Sequence, residues 1–166
     1  PVVETPSGAQ AWRIRYWTTS DRGAESEVTG MVVAPREAMP ARPRQVIAWT
    51  HGTSGVAQKC APSQLDFFGA TSGVTESVRR GYVFVAPDYP GLGSAMPHPY
   101  LVGTSTTHSV LDAVRAAREV PQASASTRFA VWGESQGGHA SLWTAQLAAS
   151  YAPELQLMGA VAAAPP

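Results

Sequence analysis

The chain has 166 residues, of which 44% are hydrophobic and 14% are charged, and its formal net charge is zero. This length is sufficient for one domain with a substantial hydrophobic core. Zero net charge disfavours nucleic acids or anionic membranes as partners, because both are bound through an excess of basic residues. No apolar run reaches the roughly 18 residues needed to span a bilayer, which disfavours a transmembrane protein.

The N-terminal part of the chain predicts an antiparallel hairpin. Residues 11–20 and 25–34 have the composition of strands, with Trp12, Ile14 and Tyr16 alternating with arginines in the first of them. The sequence Asp21-Arg22-Gly23 between the two segments is typical of a turn. The proline-rich residues 35–43 predict a loop.

The remainder of the chain alternates between apolar runs and helical patterns. We predict four buried strands, at 45–50, 82–86, 129–132 and 157–164, and three helices, at 74–80, from Ser109 to Pro121, and after Ser135. We predict loops after Gly55 and at residues 97–107. Strands alternating with helices indicate an α/β fold, in which a mostly parallel sheet has helices on both faces.

Polar residues follow three of these predicted strands directly. His51 and the next residues follow the first strand, Asp88 follows the second, and Ser135 follows the third. The carboxyl ends of parallel strands share one edge of a sheet, where the sites of α/β proteins lie. We therefore expect these residues to converge on one site.

The centre of this expected site is Gly133-Glu134-Ser135-Gln136-Gly137. An apolar strand precedes it and an alanine-rich helical segment follows, which is the context of a nucleophile elbow. Such a turn exposes the serine hydroxyl, and the flanking Gly133 and Gly137 allow strand and helix to approach closely. The positive end of the helix dipole favours negative charge beside the hydroxyl. Ser135 is the candidate nucleophile.

An activated serine also needs donors for the oxyanion and a base, which is usually an imidazole oriented by a carboxylate. The Gln136 backbone N–H is the expected first donor, since it follows the nucleophile. The Thr53 N–H is the expected second donor, with Gly52 permitting close approach of the chain. We expect His51 to bond loop backbone and Asp88 to anchor its loop, because neither position suits a triad member.

Three motifs together resemble the secretory lipase family of α/β-hydrolases. They are Trp49-Thr50-His51-Gly52-Thr53-Ser54-Gly55, Ala86-Pro87-Asp88-Tyr89-Pro90-Gly91-Leu92-Gly93 and Gly133-Glu134-Ser135-Gln136-Gly137-Gly138-His139-Ala140. The resemblance implies hydrolysis of carboxylic esters, including acylglycerols, through an acyl-enzyme without metal or cofactor. It also implies a secreted protein. Because no charged and then apolar leader opens the sequence, we expect that any signal peptide has already been removed.

The sequence departs from the family pattern after Ser135. The family's triad acid and histidine follow the serine, but here the following residues contain no aspartate and one histidine, His139, which lies in the predicted helix. We therefore expect residues 1–166 to form the N-terminal part of one α/β-hydrolase domain, with the lid and remaining strands absent and the fold incomplete at its C-terminus. A second chain or a C-terminal fragment would supply the aspartate and the histidine. Cys60 would pair with a cysteine there, or with none.

Other hypotheses stay open. The same elbow suits acyl transfer or peptide-bond hydrolysis, since only the acceptor or the leaving group differs. A chain without its own acid and base could instead be a non-catalytic binding module. His98 and His108 are expected to stabilise loops or to flank an acyl pocket.

Overall fold

The computed structural model describes residues 5–37 and 40–166. The strands within these ranges are β1 (Ala9–Thr19), β2 (Glu25–Pro35), β3 (Arg44–Thr50), β4 (Val83–Pro87), β5 (Ala125–Glu134) and β6 (Gln156–Ala163). The α-helices are α1 (Phe67–Ala70), α2 (Val74–Arg79), α3 (Gly103–Arg118) and α4 (Gln136–Tyr151). In these described ranges, no helix is both long and apolar enough to cross a membrane.

The strands form one six-stranded sheet with the order β1-β2-β4-β3-β5-β6. The β1/β2 and β2/β4 pairs are antiparallel, whereas β3 pairs in parallel with β4 and β5, and β6 with β5. The turn of the first hairpin is closed by a hydrogen bond of 2.8 Å from the Ser20 N–H to the Ala24 carbonyl. The predicted α/β class, a mostly parallel sheet with an N-terminal antiparallel hairpin, is confirmed.

Helices cover both faces of the sheet, as expected. On one face, Val110 and Val114 of α3 pack in a cluster with Phe129 of β5. On the other face, Phe67 of α1 and Val78 of α2 belong to a second cluster. The sheet is thus held between two apolar layers, and its carboxyl edge is left free for the loops that follow β3, β4 and β5.

The prediction of a loop over residues 97–107 is wrong in its second half. Helix α3 begins at Gly103, although its first turns contain hydroxyl residues that are weak helix formers. Packing outweighs this local preference: Gly103 lies against the Trp143 ring, and Thr106 is buried with its hydroxyl donating to the Val102 carbonyl at 3.1 Å.

The residues after β3 are also more ordered than a plain loop. Short 3₁₀ segments at Gln58–Cys60 and Pro62–Gln64 precede α1 within the predicted loop. Cys60 is half-buried with a free thiol. Because these turns are too short to show a periodic apolar pattern, the sequence alone does not reveal them.

The prediction of a buried strand at residues 157–164 is wrong about burial. The strand exists as β6, but in the sheet formed by the described residues it lies at the edge and pairs only with β5. Met158 is 48% exposed and Val161 is 62% exposed. An apolar run predicts that a strand will form, whereas its burial depends on which elements pack against it.

Candidate active site

Ser135 occupies the sharp turn between β5 and α4. Its backbone lies at φ 54° and ψ −125°, a left-handed conformation that is rare for residues other than glycine. Such a conformation costs about 1–3 kcal/mol and persists only where the surroundings impose it. Here the Ser135 N–H donates to the Ala163 carbonyl at 2.9 Å, and the Ser135 carbonyl accepts from the His139 N–H at 3.0 Å. The side chain is exposed at the carboxyl edge of the sheet.

The glycines on either side of Ser135 are required by packing against β3. A Cβ atom at Gly133 would collide with the Thr50 carbonyl and hydroxyl oxygens. A Cβ atom at Gly137 would collide with the Thr50 carbonyl oxygen and would lie 2.9 Å from the His51 carbonyl carbon. The turn can therefore reach this position beside the end of β3 only with glycine at both sites.

The Thr50 side chain links β3 to the elbow, a role that the sequence analysis missed. Its buried hydroxyl lies 2.8 Å from the Gly137 carbonyl, 2.8 Å from the Ser141 hydroxyl and 3.0 Å from the Trp132 carbonyl. One small side chain thus connects β3, β5 and α4. A threonine at the last position of an apolar strand is the available sequence signal, but it does not identify these partners.

The predicted oxyanion residues lie in the elbow and in the loop beside it. A Cβ built on Gly52 would be 3.5 Å from the Glu134 carbonyl oxygen and 3.8 Å from Ser135 Cβ, so this loop lies against the turn. Thr53, the next residue, is exposed. Gln136 is the first residue of α4, where a backbone N–H has no intrahelical partner.

His51 is fully buried and does not face the Ser135 hydroxyl. Its Nδ1 lies 2.6 Å from the Gly52 carbonyl oxygen, and its Nε2 lies 3.2 Å from the Asp88 carbonyl oxygen. The ring stacks on Tyr89 with centroids 4.0 Å apart. Burial lowers the pKa of His51, and this outweighs the two carbonyls, which act to raise it. A neutral ring has one N–H, so His51 donates to one of the two carbonyls and holds the loop backbone there.

Asp88 anchors the loops beneath the site. It is buried, and its carboxylate accepts from the Ser63 N–H at 2.8 Å, the Ser63 hydroxyl at 2.6 Å and the Thr29 hydroxyl at 2.6 Å. These bonds connect the end of β4 to β2 and to the 3₁₀ turn at Pro62–Gln64. The Asp88 carboxylate therefore has a structural role.

His139 lies within α4, one turn after Ser135. Its ring is half-buried, burial lowers its pKa, and its centroid is 6.1 Å from that of Trp143. Among the residues that the structure describes, no side chain forms a hydrogen bond with the Ser135 hydroxyl. The described part of the chain therefore presents the candidate nucleophile and the oxyanion loops without a base in contact.

An apolar cavity of about 270 Å³ opens beside the elbow. The apolar residues that line it are Trp49, Pro62, Leu65, Phe67, Ala70 and Trp132. The polar residues that line it are His51, Thr53, Ser54, Asp66, Thr71, Ser72 and Glu134. An apolar cavity bordered by a few polar groups is the usual form of a small-molecule site.

Comparison with known proteins shows the family of this chain. Residues 66–166 match the secretory lipase family. The chain belongs to this family. It is 27% identical to lipase A of Moesziomyces aphidis over 95% of the chain and 36% of that protein. It is also 27% identical to a probable inactive lipase of Mycobacterium tuberculosis, over 96% of the chain and 38% of that protein.

Solved structures lead to the same family. The chain superimposes on a rice cell wall degrading esterase of Xanthomonas oryzae with a TM-score of 0.74 and 30% identity, covering 90% of the chain and 40% of the esterase. The fold is therefore that of the α/β-hydrolases. The chain spans less than half the length of the relatives that it matches.

Proposed function

We propose that this chain carries the nucleophile and the oxyanion hole of a secreted serine esterase or lipase. The observation that carries the proposal is the Ser135 backbone, held at φ 54° between β5 and α4 with its side chain exposed. A serine in this conformation presents its hydroxyl above the sheet edge, where an ester carbonyl can approach it. Ser135 would attack the carbonyl carbon as its proton passes to the base. The tetrahedral intermediate then breaks the ester C–O bond, the alcohol leaves with that proton, and water hydrolyses the acyl-enzyme to the carboxylic acid and free serine.

Two backbone N–H groups beside Ser135 would bind the oxyanion of the tetrahedral intermediate. The Gln136 N–H lies at the start of the 16-residue helix α4, so the positive end of the helix dipole adds to the donor. The Thr53 N–H would act from the opposite side, and Gly52 keeps its loop against the elbow. Each such donor typically lowers the barrier by about 3–4 kcal/mol.

The base and its carboxylate partner would come from outside the described residues. Both ring nitrogens of His51 face backbone carbonyls rather than Ser135, and the Asp88 carboxylate accepts from three donors. A serine hydroxyl is a weak nucleophile without an imidazole beside it. We therefore propose that residues 1–166 form the N-terminal part of one hydrolase domain, and that a C-terminal part or second chain supplies the histidine and the aspartate.

The cavity beside the elbow supports an ester with an apolar acyl group. Its lining includes Trp49, Phe67 and Trp132, whose aromatic rings suit hydrocarbon, and Glu134 of the elbow. The relatives named as lipases and as an esterase support carboxylic esters, including acylglycerols, as the substrate class. The chemistry would need neither metal nor cofactor, since the serine, the base and the backbone donors complete it.

One observation favours a second hypothesis, that this protein binds without catalysing. A relative that matches 96% of the chain is named a probable inactive lipase. Ser135→Ala in the complete enzyme separates the two hypotheses. We expect hydrolysis of a p-nitrophenyl ester to fall by at least about 10⁴-fold, because the attacking oxygen is lost.

Ser150→Ala is the matched control, since Ser150 is exposed on α4 and its hydroxyl donates to the Leu147 carbonyl. It should retain full activity. Turnover that survives Ser135→Ala would disprove the proposed nucleophile. An unmodified protein that hydrolyses no ester would favour the binding hypothesis. Product analysis with water, alcohol and amine acceptors distinguishes hydrolysis from acyl transfer and peptide cleavage.

A further inference from the structure

A short segment, residues 97–100, contacts both residues of the proposed oxyanion hole, Thr53 and Gln136. It follows the glycine-rich turn after β4 and precedes α3. Its two aromatic side chains, His98 and Tyr100, each form a hydrogen bond with the side chain of a proposed oxyanion donor. We call these residues the 97–100 segment.

His98 holds the side chain of Gln136. Its Nδ1 donates to the Pro90 carbonyl at 2.7 Å, because a carbonyl can only accept. Burial lowers the pKa of His98, so the ring is neutral and its Nε2 carries a lone pair. The Gln136 Nε2 therefore donates to His98 Nε2 at 3.0 Å. Gln136 is only 1% exposed, and its Oε1 has no partner among the described residues, so this bond fixes its amide.

Tyr100 holds the side chain of Thr53. The two hydroxyl oxygens lie 3.0 Å apart, with one hydroxyl donating to the other. The Tyr100 ring also meets the His98 ring edge to face, with centroids 6.0 Å apart. The bonds to Thr53 and to Gln136 thus come from neighbouring rings of one segment.

The Tyr89 ring connects the same segment to the backbone before Gly52. It lies between His51 and His98, with centroid distances of 4.0 Å and 6.3 Å and nearly parallel planes. Its hydroxyl donates to the His51 carbonyl at 3.0 Å. A displacement of His98 would therefore be transmitted to the loop of Thr53 as well as to Gln136.

We infer that the 97–100 segment is a brace that sets the relative positions of the two oxyanion donors, with His98 and Tyr100 as positioning residues. The inference rests on the proposed function, since it assigns the Thr53 and Gln136 amides to the oxyanion. Donors act on the transition state only within about 0.5 Å of their productive positions. Loosening the brace should therefore lower kcat and leave KM nearly unchanged.

His98→Phe in the complete enzyme is the first test. Phenylalanine retains a ring to stack on Tyr89 but removes the bonds to Pro90 and Gln136. We expect kcat to fall about 10- to 100-fold, with KM within about threefold, since misplacing a catalytic group by 1 Å can cost about a hundredfold. The matched control is His108→Phe, because His108 also bonds a carbonyl, that of Thr19 at 2.8 Å, and stacks on a tyrosine, Tyr151, at 3.7 Å.

Tyr100→Phe is the second test, and it does not depend on a buried residue. Tyr100 is 44% exposed, so the variant should fold normally. We expect a three- to tenfold fall in kcat without a change in KM, because the donor loop is loosened rather than removed. Its control is Tyr151→Phe, which removes a hydroxyl bonded to Asp112 at 2.8 Å.

The amide signals of the oxyanion donors give a readout that is independent of turnover. In the complete enzyme, His98→Phe should shift the ¹⁵N–¹H signal of Thr53 as well as that of Gln136, because the brace joins them. Two results would overturn the brace: kcat losses no larger than those of the controls, or losses confined to KM. If Ser135→Ala retains activity, the proposed function fails. If it abolishes activity while both brace variants match their controls, only the brace fails.

Discussion

Replacing Thr50 by valine tests the connection between β3 and the elbow. Valine has nearly the same shape as threonine, so the change removes the hydroxyl without creating a cavity. The hydroxyl donates to a carbonyl, that of Gly137 at 2.8 Å or of Trp132 at 3.0 Å, and accepts from the Ser141 hydroxyl at 2.8 Å. Thr50 and Ser141 are both fully buried, so water cannot replace these bonds.

The expected cost follows from these contacts. Loss of the bond to the carbonyl costs about 1 kcal/mol, and a buried Ser141 hydroxyl without a partner costs about 1–3 kcal/mol. Thr50→Val should therefore lower the free energy of unfolding by about 3 kcal/mol. Ser141→Ala should cost about 1 kcal/mol, because Thr50 keeps its carbonyl acceptor. In the double variant no buried hydroxyl is left without a partner. Its loss of unfolding free energy should therefore be smaller than the sum of the two single-variant losses by about 1 kcal/mol or more.

This coupling is measured by urea denaturation, followed by tryptophan fluorescence, of the unmodified protein, the two single variants and the double variant. Thr127→Val is the control, since Thr127 is half-buried in β5, and its change should stay within about 0.5 kcal/mol. A double-variant loss within about 0.3 kcal/mol of the sum of the two single-variant losses would refute the reasoning, because the effects of independent sites are additive. A loss for Thr50→Val no larger than that of the control would do so as well.

Two further perturbations test the packing and the protonation of the site. Gly137→Ala should lower the free energy of unfolding by about 2 kcal/mol or more, because the new Cβ collides with Thr50 backbone. Gly159→Ala, where a Cβ has open space, should be nearly neutral, and equal urea midpoints for both variants would contradict the packing argument. Stability should also fall as the pH is lowered from about 7.5 to 5.5. Burial lowers the folded-state pKa of His51 and His98, so the unfolded chain takes up protons first, near its ordinary pKa of about 6.5. A urea midpoint that stays constant or rises over this range would show that these rings are not held neutral.

The elbow could be predicted from the sequence because its constraint is local. Gly133 and Gly137 flank Ser135 at a fixed spacing between a strand pattern and a helix pattern, and the close approach of β3 then requires both glycines. The hairpin was predictable for the same reason, since its alternation and turn residues are contiguous. Features determined by neighbouring residues are visible in a single sequence.

The brace and the Thr50 link could not be predicted because they join distant positions. His98 and Gln136 are separated by 38 residues, and Thr50 and Ser141 by 91. Nothing in either local pattern indicates the partner. The start of α3 was missed for a related reason, since tertiary packing stabilises residues that have weak helix propensity.

The exposure of β6 shows the limit of an apolar pattern. Val161 has the residue type of a buried strand but is 62% exposed, because β6 lies at the edge of the sheet. Composition indicates that a segment can be buried, whereas the arrangement of the other elements decides whether it is.

The most direct test of the central claim is intact mass spectrometry of the complete enzyme after treatment with a fluorophosphonate. An activated serine attacks phosphorus and displaces fluoride, which leaves one phosphonyl group on the protein. We predict a single adduct that peptide mapping places on Ser135, and its absence from the Ser135→Ala variant. Ester hydrolysis by an enzyme that is labelled at another residue, or not labelled at all, would contradict the assignment of Ser135 as the nucleophile.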